Sequence, residues 1–159
     1  MVLKYIGCDL ILISVLIISK EYKAYSSMRV ERLSDYIDFL SHIERKIGGS
    51  LMPQNRLHEG FESRLLEEDF LPKLRDGGEM HRAYSGTEIK IAENAHRILL
   101  SYFAEFGKSS RDVELERARE AVKTLTPILE KERGASEKNI RLFETVSVAI
   151  GLGIIILLI

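Results

Sequence analysis

The sequence predicts an all-α protein, a membrane-anchored helical bundle, and three observations predict it. The chain has 159 residues, enough for one domain. Both ends are apolar: Tyr5 to Ser19 carries only Asp9 as a charge, and Val146 to Ile159 carries none. Between them the sequence is rich in charge and holds 3 Pro in total, with Leu and Ile recurring at helical spacing. The expected organisation is a first transmembrane helix over 1–19, a cytoplasmic antiparallel helical domain over 20–142, and a second transmembrane helix over 143–159.

A membrane span needs roughly 20 apolar residues. Each terminal run reaches that length only with its flanks, Met1 to Lys4 for the first and Ile140 to Phe143 for the second. All-round apolarity marks a membrane span rather than an amphipathic core helix. No small-residue cleavage site follows the first run, because Ser19-Lys20-Glu21 turns charged at once. Lys20, Lys23, Arg29 and Arg32 follow it, and Arg133, Lys138 and Arg141 precede the second run. The positive-inside rule therefore puts the middle of the chain in the cytoplasm. Asp9 is an intramembrane acid, a type that by default marks a pairing or functional position. Ser147, Gly151 and the neighbouring Gly153 form a small-residue face suited to close helix packing.

The first helix continues past its span to Ile47, with Val30, Leu33, Ile37, Leu40, Ile43 and Ile47 on one stripe, and Gly48-Gly49 stops it. A second helix is expected over Asn55 to Glu68, after Pro53. Leu71-Pro72 and Asp76-Gly77-Gly78 mark a turn region. A short helix follows over Glu79 to Tyr84. Thr87 is the expected N-cap of a strongly amphipathic helix from Glu88 to Phe106, closed by Gly107. Ser109 or Ser110 caps the last helix, which Pro127 should kink or divide and Gly134 should weaken. The apolar stripes on the outgoing and returning helices call for an antiparallel pair.

Net charge of -1 offers no basic stripe for nucleic acid. Cys8 is the single cysteine, so no intramolecular disulfide exists. Gly107-Lys108-Ser109 resembles the end of a phosphate-binding loop, yet Tyr102 stands where the motif needs its first Gly, and a helix precedes it where a strand is required. His42, His58, His81 and His96 lack ligand spacing. No nucleophile–base arrangement is visible, so the chain reads as a non-enzyme with no cofactor and no metal. The acidic run Glu67, Glu68 and Asp69 lies in the region farthest from the membrane and is the expected partner contact.

The order of these features resembles the stage III sporulation protein AB family of endospore-forming bacteria. Ile98-Leu99-Leu100 followed by Phe106-Gly107-Lys108-Ser109-Ser110-Arg111-Asp112 is similar to that family's joint before the returning helix. The closing Gly151-Leu152-Gly153 and the Ile/Leu run after it are similar to its C-terminus. Leu40, Ile43-Glu44 and Ile47 before Gly48-Gly49, then Pro53 with Leu57, and Arg75-Asp76-Gly77-Gly78 with Ala83, follow its earlier segments. Pro127 departs from the pattern. The resemblance implies a membrane subunit of the mother cell–forespore channel complex, located in the mother-cell membrane around the forespore. It further implies a platform, like that of type II secretion and type IV pilus machines, for a cytoplasmic ATPase, stage III sporulation protein AA, and other channel subunits. The alternative is an unrelated membrane-anchored scaffold that forms a homo-oligomer through its stalk helices.

Overall fold

The structure is a computed structural model that describes residues 2–49, 56–88 and 90–158, with the side chains of 2–6, 8, 9, 11, 12, 157 and 158 excluded. The described residues form an all-α helical bundle without strands. The elements are α1 (Val2–Gly49), α2 (Phe70–Arg75), α3 (Met80–Ser85), α4 (Glu93–Glu105) and α5 (Arg111–Leu158). They fall into two compact units, one of residues 29–132 and one of residues 1–28 with 133–159. Both divisions run through the interiors of α1 and α5, not at the ends of the apolar runs.

The 29–132 unit is built on α1. Leu33, Tyr36, Phe39, Leu40 and Ile43 are buried on it, against Ala95, Leu99 and Phe103 of α4 and Ala118, Leu125 and Leu129 of α5. α2 and α3 add Phe70, Leu71, Leu74, Met80, Ala83 and Tyr84. Phe70 is the aromatic centre, with ring centroids 5.5 Å from Tyr36, 5.3 Å from Phe39 and 5.6 Å from Phe103. The first two are edge-on and the third tilted, and edge-on pairs stabilise beyond simple burial.

The helix ends are closed by side chains. Arg111 donates from Nε to the Ile47 carbonyl at 2.7 Å and from Nη2 to the Gly48 carbonyl at 3.0 Å, satisfying two carbonyls that the end of α1 leaves open. Gly107 takes φ +81, the left-handed geometry that suits glycine after α4. The buried Glu114 carboxylate accepts from the Gly107 and Ser109 backbone N–H groups at 3.1 and 3.2 Å. This acid in the first turn of α5 secures the joint, and Ser110, whose carbonyl accepts from the Glu114 N–H at 3.0 Å, stands directly before the helix.

Four local expectations are corrected. Residues 56–69 form turns, not a helix; Asn55 and Pro53 lie outside the described residues. Gly60 there has φ +77, and Ser63 Oγ donates to Asp35 Oδ2 at 2.5 Å while accepting from Leu66 N–H at 3.1 Å. The turns bury Leu57, Leu65 and Leu66. Helix forms instead at Phe70–Arg75, where a turn is expected. Pro72 is tolerated because it sits in the first turn, whose N–H groups have no intrahelical acceptor. Thr87 follows α3 rather than starting α4, its hydroxyl donating to the Tyr84 carbonyl at 2.7 Å, and Ala92 stands at the N-cap of α4. Finally, α5 is not divided: helix runs through Pro127 and Gly134. Leu125 and Leu129 are buried on either side of Pro127, so tertiary packing offsets the hydrogen bond that proline removes.

His42 is expected to make this unit acid-sensitive. Its ring packs edge-on to Phe61 at 5.5 Å, clamping the 56–61 turns to α1, and its Nε2 is buried. Burial, chiefly, pushes the imidazole below the usual 6.5, aided by the Lys46 and Arg45 charges and opposed by the Glu59 and Leu57 carbonyls. His58 is lowered as well, first by burial and then by Arg75. A depressed folded value means that stability is complete above the ordinary value and is lost as pH falls through the folded one. The thermal midpoint is therefore expected to drop as pH falls below the ordinary imidazole value of 6.5. His42→Gln should flatten that slope, as followed by thermal unfolding at successively lower pH.

In the other unit, the start of α1 and the end of α5 run antiparallel. Tyr22 stacks on Phe143 with centroids 4.4 Å apart, and Ser26 Oγ lies 2.6 Å from Ser136 Oγ. Lys23 and Glu144 approach to 3.9 Å at the exposed edge. A Cβ on Gly151 would come within 3.3 Å of Val15 Cγ2. The seam residues Val15, Ser19, Tyr22 and Ser26 step by four, three and four, as packed helices require.

Candidate functional site

Two features stand out as functional surfaces, and the first is the apolar exterior of the terminal helix pair. Among the described residues, α5 is the one helix long and apolar enough to cross a membrane, with mean hydropathy 1.6 over the best window and only 6% of that window buried. A core helix of the same composition would be largely buried; here Leu142, Val146, Val148, Ile150, Leu152, Ile154 and Ile156 are exposed. On α1, Leu10, Ile13, Leu16, Ile17 and Ile18 are exposed as well. The apolar surface left uncovered is thus contiguous in sequence on each helix, and such surface marks an interaction with lipid or protein.

The small residues of α5 divide. Gly151 is buried against Val15 and Ser147 is half-buried on the same face, one helical turn away. Gly153 is exposed, and a Cβ there would meet nothing within 4 Å. Close packing therefore rests on Gly151 with Ser147 and Ser136, and Gly153 has no part in it. Asp9 lies in α1, and its side chain is outside the described residues.

A direct test of the seam uses cysteines. In a Cys8→Ser background, Ser26→Cys with Ser136→Cys should close an intrachain disulfide, since the native hydroxyls touch. Gly151→Leu should lower the yield, because the new side chain must push Val15 away. Non-reducing gels of the detergent-solubilised chain read both results.

The second feature is a buried cation that the charge pattern conceals. Arg32, 2% exposed, sits on the core face of α1. Its guanidinium donates to Glu68 Oε2 at 3.0 Å, Asp69 Oδ2 at 3.4 Å, the Glu88 carbonyl at 3.1 Å and the Leu65 carbonyl at 3.4 Å. One side chain thereby ties α1 to the 65–69 turns and to the segment before α4. The same guanidinium lies beside the Tyr36 phenol, whose ionisation is pushed far up, chiefly by burial.

The acidic run expected on a contact surface is thus engaged within the chain. Glu68 and Asp69 serve Arg32, and Glu67 holds Arg75 in a bidentate pair at 2.5 and 2.7 Å. Asp69 is largely covered, while Glu67 and Glu68 keep part of their carboxylates in solvent. The sequence carries a signal for Arg32: Arg32, Tyr36 and Phe39 step by four and three, a lane beside the Leu/Ile stripe.

The turn glycines also separate. Gly48 and Gly49 lie in the last turn of α1. Gly77 has φ +82, and a Cβ on Gly78 would meet the Lys73 carbonyl oxygen at 2.5 Å, so this pair is required by backbone geometry. Among the described residues no group of His, Cys, Asp and Glu has the geometry of a metal site. His96 Nδ1 is 2.8 Å from the Tyr84 hydroxyl, apart from His42 on Phe61. No family model, curated protein or solved structure matches the chain.

Proposed function

We propose that this chain is a non-enzymatic membrane subunit of a sporulation channel complex, and that its 29–132 unit is a cytoplasmic platform for the ATPase of that complex. The observation that carries the membrane part is the exposed apolar length of α5, paired antiparallel with the start of α1. Two legs crossing the bilayer would leave the connecting unit on one side, and Lys and Arg at the inner ends of both legs favour the cytoplasm. The sporulation part rests on the resemblance around Phe106 to Asp112 and at the C-terminus. Within one chain, Tyr22, Ser26, Phe143 and Ser136 already satisfy one another. That weighs against the alternative scaffold, whose stalks would need those faces free to dimerise.

In this reading the Arg32 cluster and the Arg111 clamp make the 29–132 unit a rigid body. A platform needs such rigidity, because force or conformational change reaches the membrane only through parts that do not yield. The exposed turns around Asp76 to Glu79 and Glu67 are the contact favoured by distance from the legs in sequence. The test is co-purification of the detergent-solubilised chain with the stage III sporulation ATPase, followed by calorimetry. Saturable binding is expected; two folded proteins that show no heat and no co-elution would refute the platform.

A further inference from the structure

A groove on the 29–132 unit runs between α4 and α5, with a volume near 740 Å³. Its floor is apolar, formed by Ile98, Tyr102 and Ala121, and its rim is polar, with Asn94, Ser101 and Thr124. Arg97 and Glu120 line opposite walls. Neither makes an ion pair or a side-chain hydrogen bond among the described residues. The other charges of the groove are occupied: Arg117 reaches Ser109 Oγ at 3.0 Å and the Glu105 carbonyl at 3.5 Å, and Glu105 lies 3.5 Å from Lys108.

The two free charges are of opposite sign and line opposite walls of one groove. α4 and α5 are antiparallel neighbours, and the Glu105–Arg117 contact sets their register. By that register Arg97 and Glu120 are offset by roughly 7 Å along the groove, on either side of the apolar floor. An axis of two-fold rotation through the floor carries the cation of one copy onto the anion of the other, twice. An isologous interface needs this self-complementary arrangement.

We propose that this groove is a homodimer interface in which Arg97 pairs with Glu120 of the partner subunit, and Glu120 with the partner subunit's Arg97. The apolar floors meet at the centre and the two ion pairs flank them, so the charges fix register while the floor supplies the burial. A second copy is the occupant because the groove carries one unpaired charge of each sign; a partner of single sign would leave one of them opposed. The proposal is independent of the platform reading, since neither residue lies in the contact region named above.

The experiment measures the mass of the full chain in detergent by light scattering and native mass spectrometry. The wild type should be a concentration-dependent dimer. Arg97→Glu alone and Glu120→Arg alone each place like charges across both pairs, and each should weaken dimerisation by roughly tenfold or more. Mixing the two single variants should restore a one-to-one heterodimer, because every cross pair is then of opposite sign. The doubly reversed chain should dimerise with itself. Both residues are exposed, so folding is not at stake, and the mixing arm rescues only an interface of this geometry. A wild type that stays monomeric at micromolar concentration, a dimer indifferent to either reversal, or single variants that mixing fails to rescue would each overturn the proposal.

Discussion

Arg32→Met is expected to destabilise the 29–132 unit by about 3 kcal/mol. Removing one member of a buried ion pair leaves its partners desolvated and uncompensated, and the usual cost of that is roughly 3–5 kcal/mol. The lower end applies here because Glu68 is half in solvent, leaving Asp69 as the covered carboxylate. The carbonyls of Leu65 and Glu88 lose their donor in the same step. If the charge cluster is the cause, the triple change Arg32→Met, Glu68→Gln and Asp69→Asn should regain most of the loss, because no buried charge remains unpaired. Urea unfolding followed by tyrosine fluorescence measures both variants. A single variant as stable as the wild type would show that Arg32 is not the tie between α1 and the turns.

Phe70→Ala is the second large effect, with an expected loss of about 3–5 kcal/mol. Phe70 is fully buried and its ring meets Tyr36, Phe39, Tyr84 and Phe103, drawn from three other helices. The cavity left by its removal cannot collapse without moving α1 or α4, so the cost should lie well above simple transfer. Phe70→Leu keeps most of the volume and should cost about 1 kcal/mol. The same urea series ranks the three proteins, and equal midpoints for Phe70→Ala and Phe70→Leu would deny that the aromatic centre organises the unit.

Long-period features were legible in the sequence. The stripe from Leu33 to Ile47 and that from Ile91 to Phe106 are amphipathic over several turns, and both recur as buried faces. The Gly107 joint was readable from residue type alone. What escaped was decided by contacts remote in sequence. Residues 56–69 have helical spacing, but Ser63 with Asp35 and Arg32 with Glu68 and Asp69 hold them in turns. Pro127 signals a break, yet buried neighbours four residues apart carry the helix past it. Arg32 entered the sequence reading only among the basic residues that follow the first span, because its type is seldom buried, and its lane with Tyr36 and Phe39 is what points to the core.

The candidate surfaces followed the same division. Exposed apolar length on α5 is a property of consecutive residues, so it could be read directly. The acidic run, by contrast, takes its meaning from the guanidinium groups of Arg32 and Arg75 that meet it. The groove between α4 and α5 exists only once the Gly107 turn has laid the two helices side by side.

Membrane topology tests the central claim most directly. In a Cys8→Ser chain, a single cysteine at Asp76, exposed in the 29–132 unit, is probed with a membrane-impermeant maleimide. The chain should pellet with membranes, stay unlabelled in intact cells, and label fully once the membrane is permeabilised. Labelling in intact cells, or recovery of the chain in the soluble fraction, would contradict the claim that its two ends anchor a cytoplasmic helical unit.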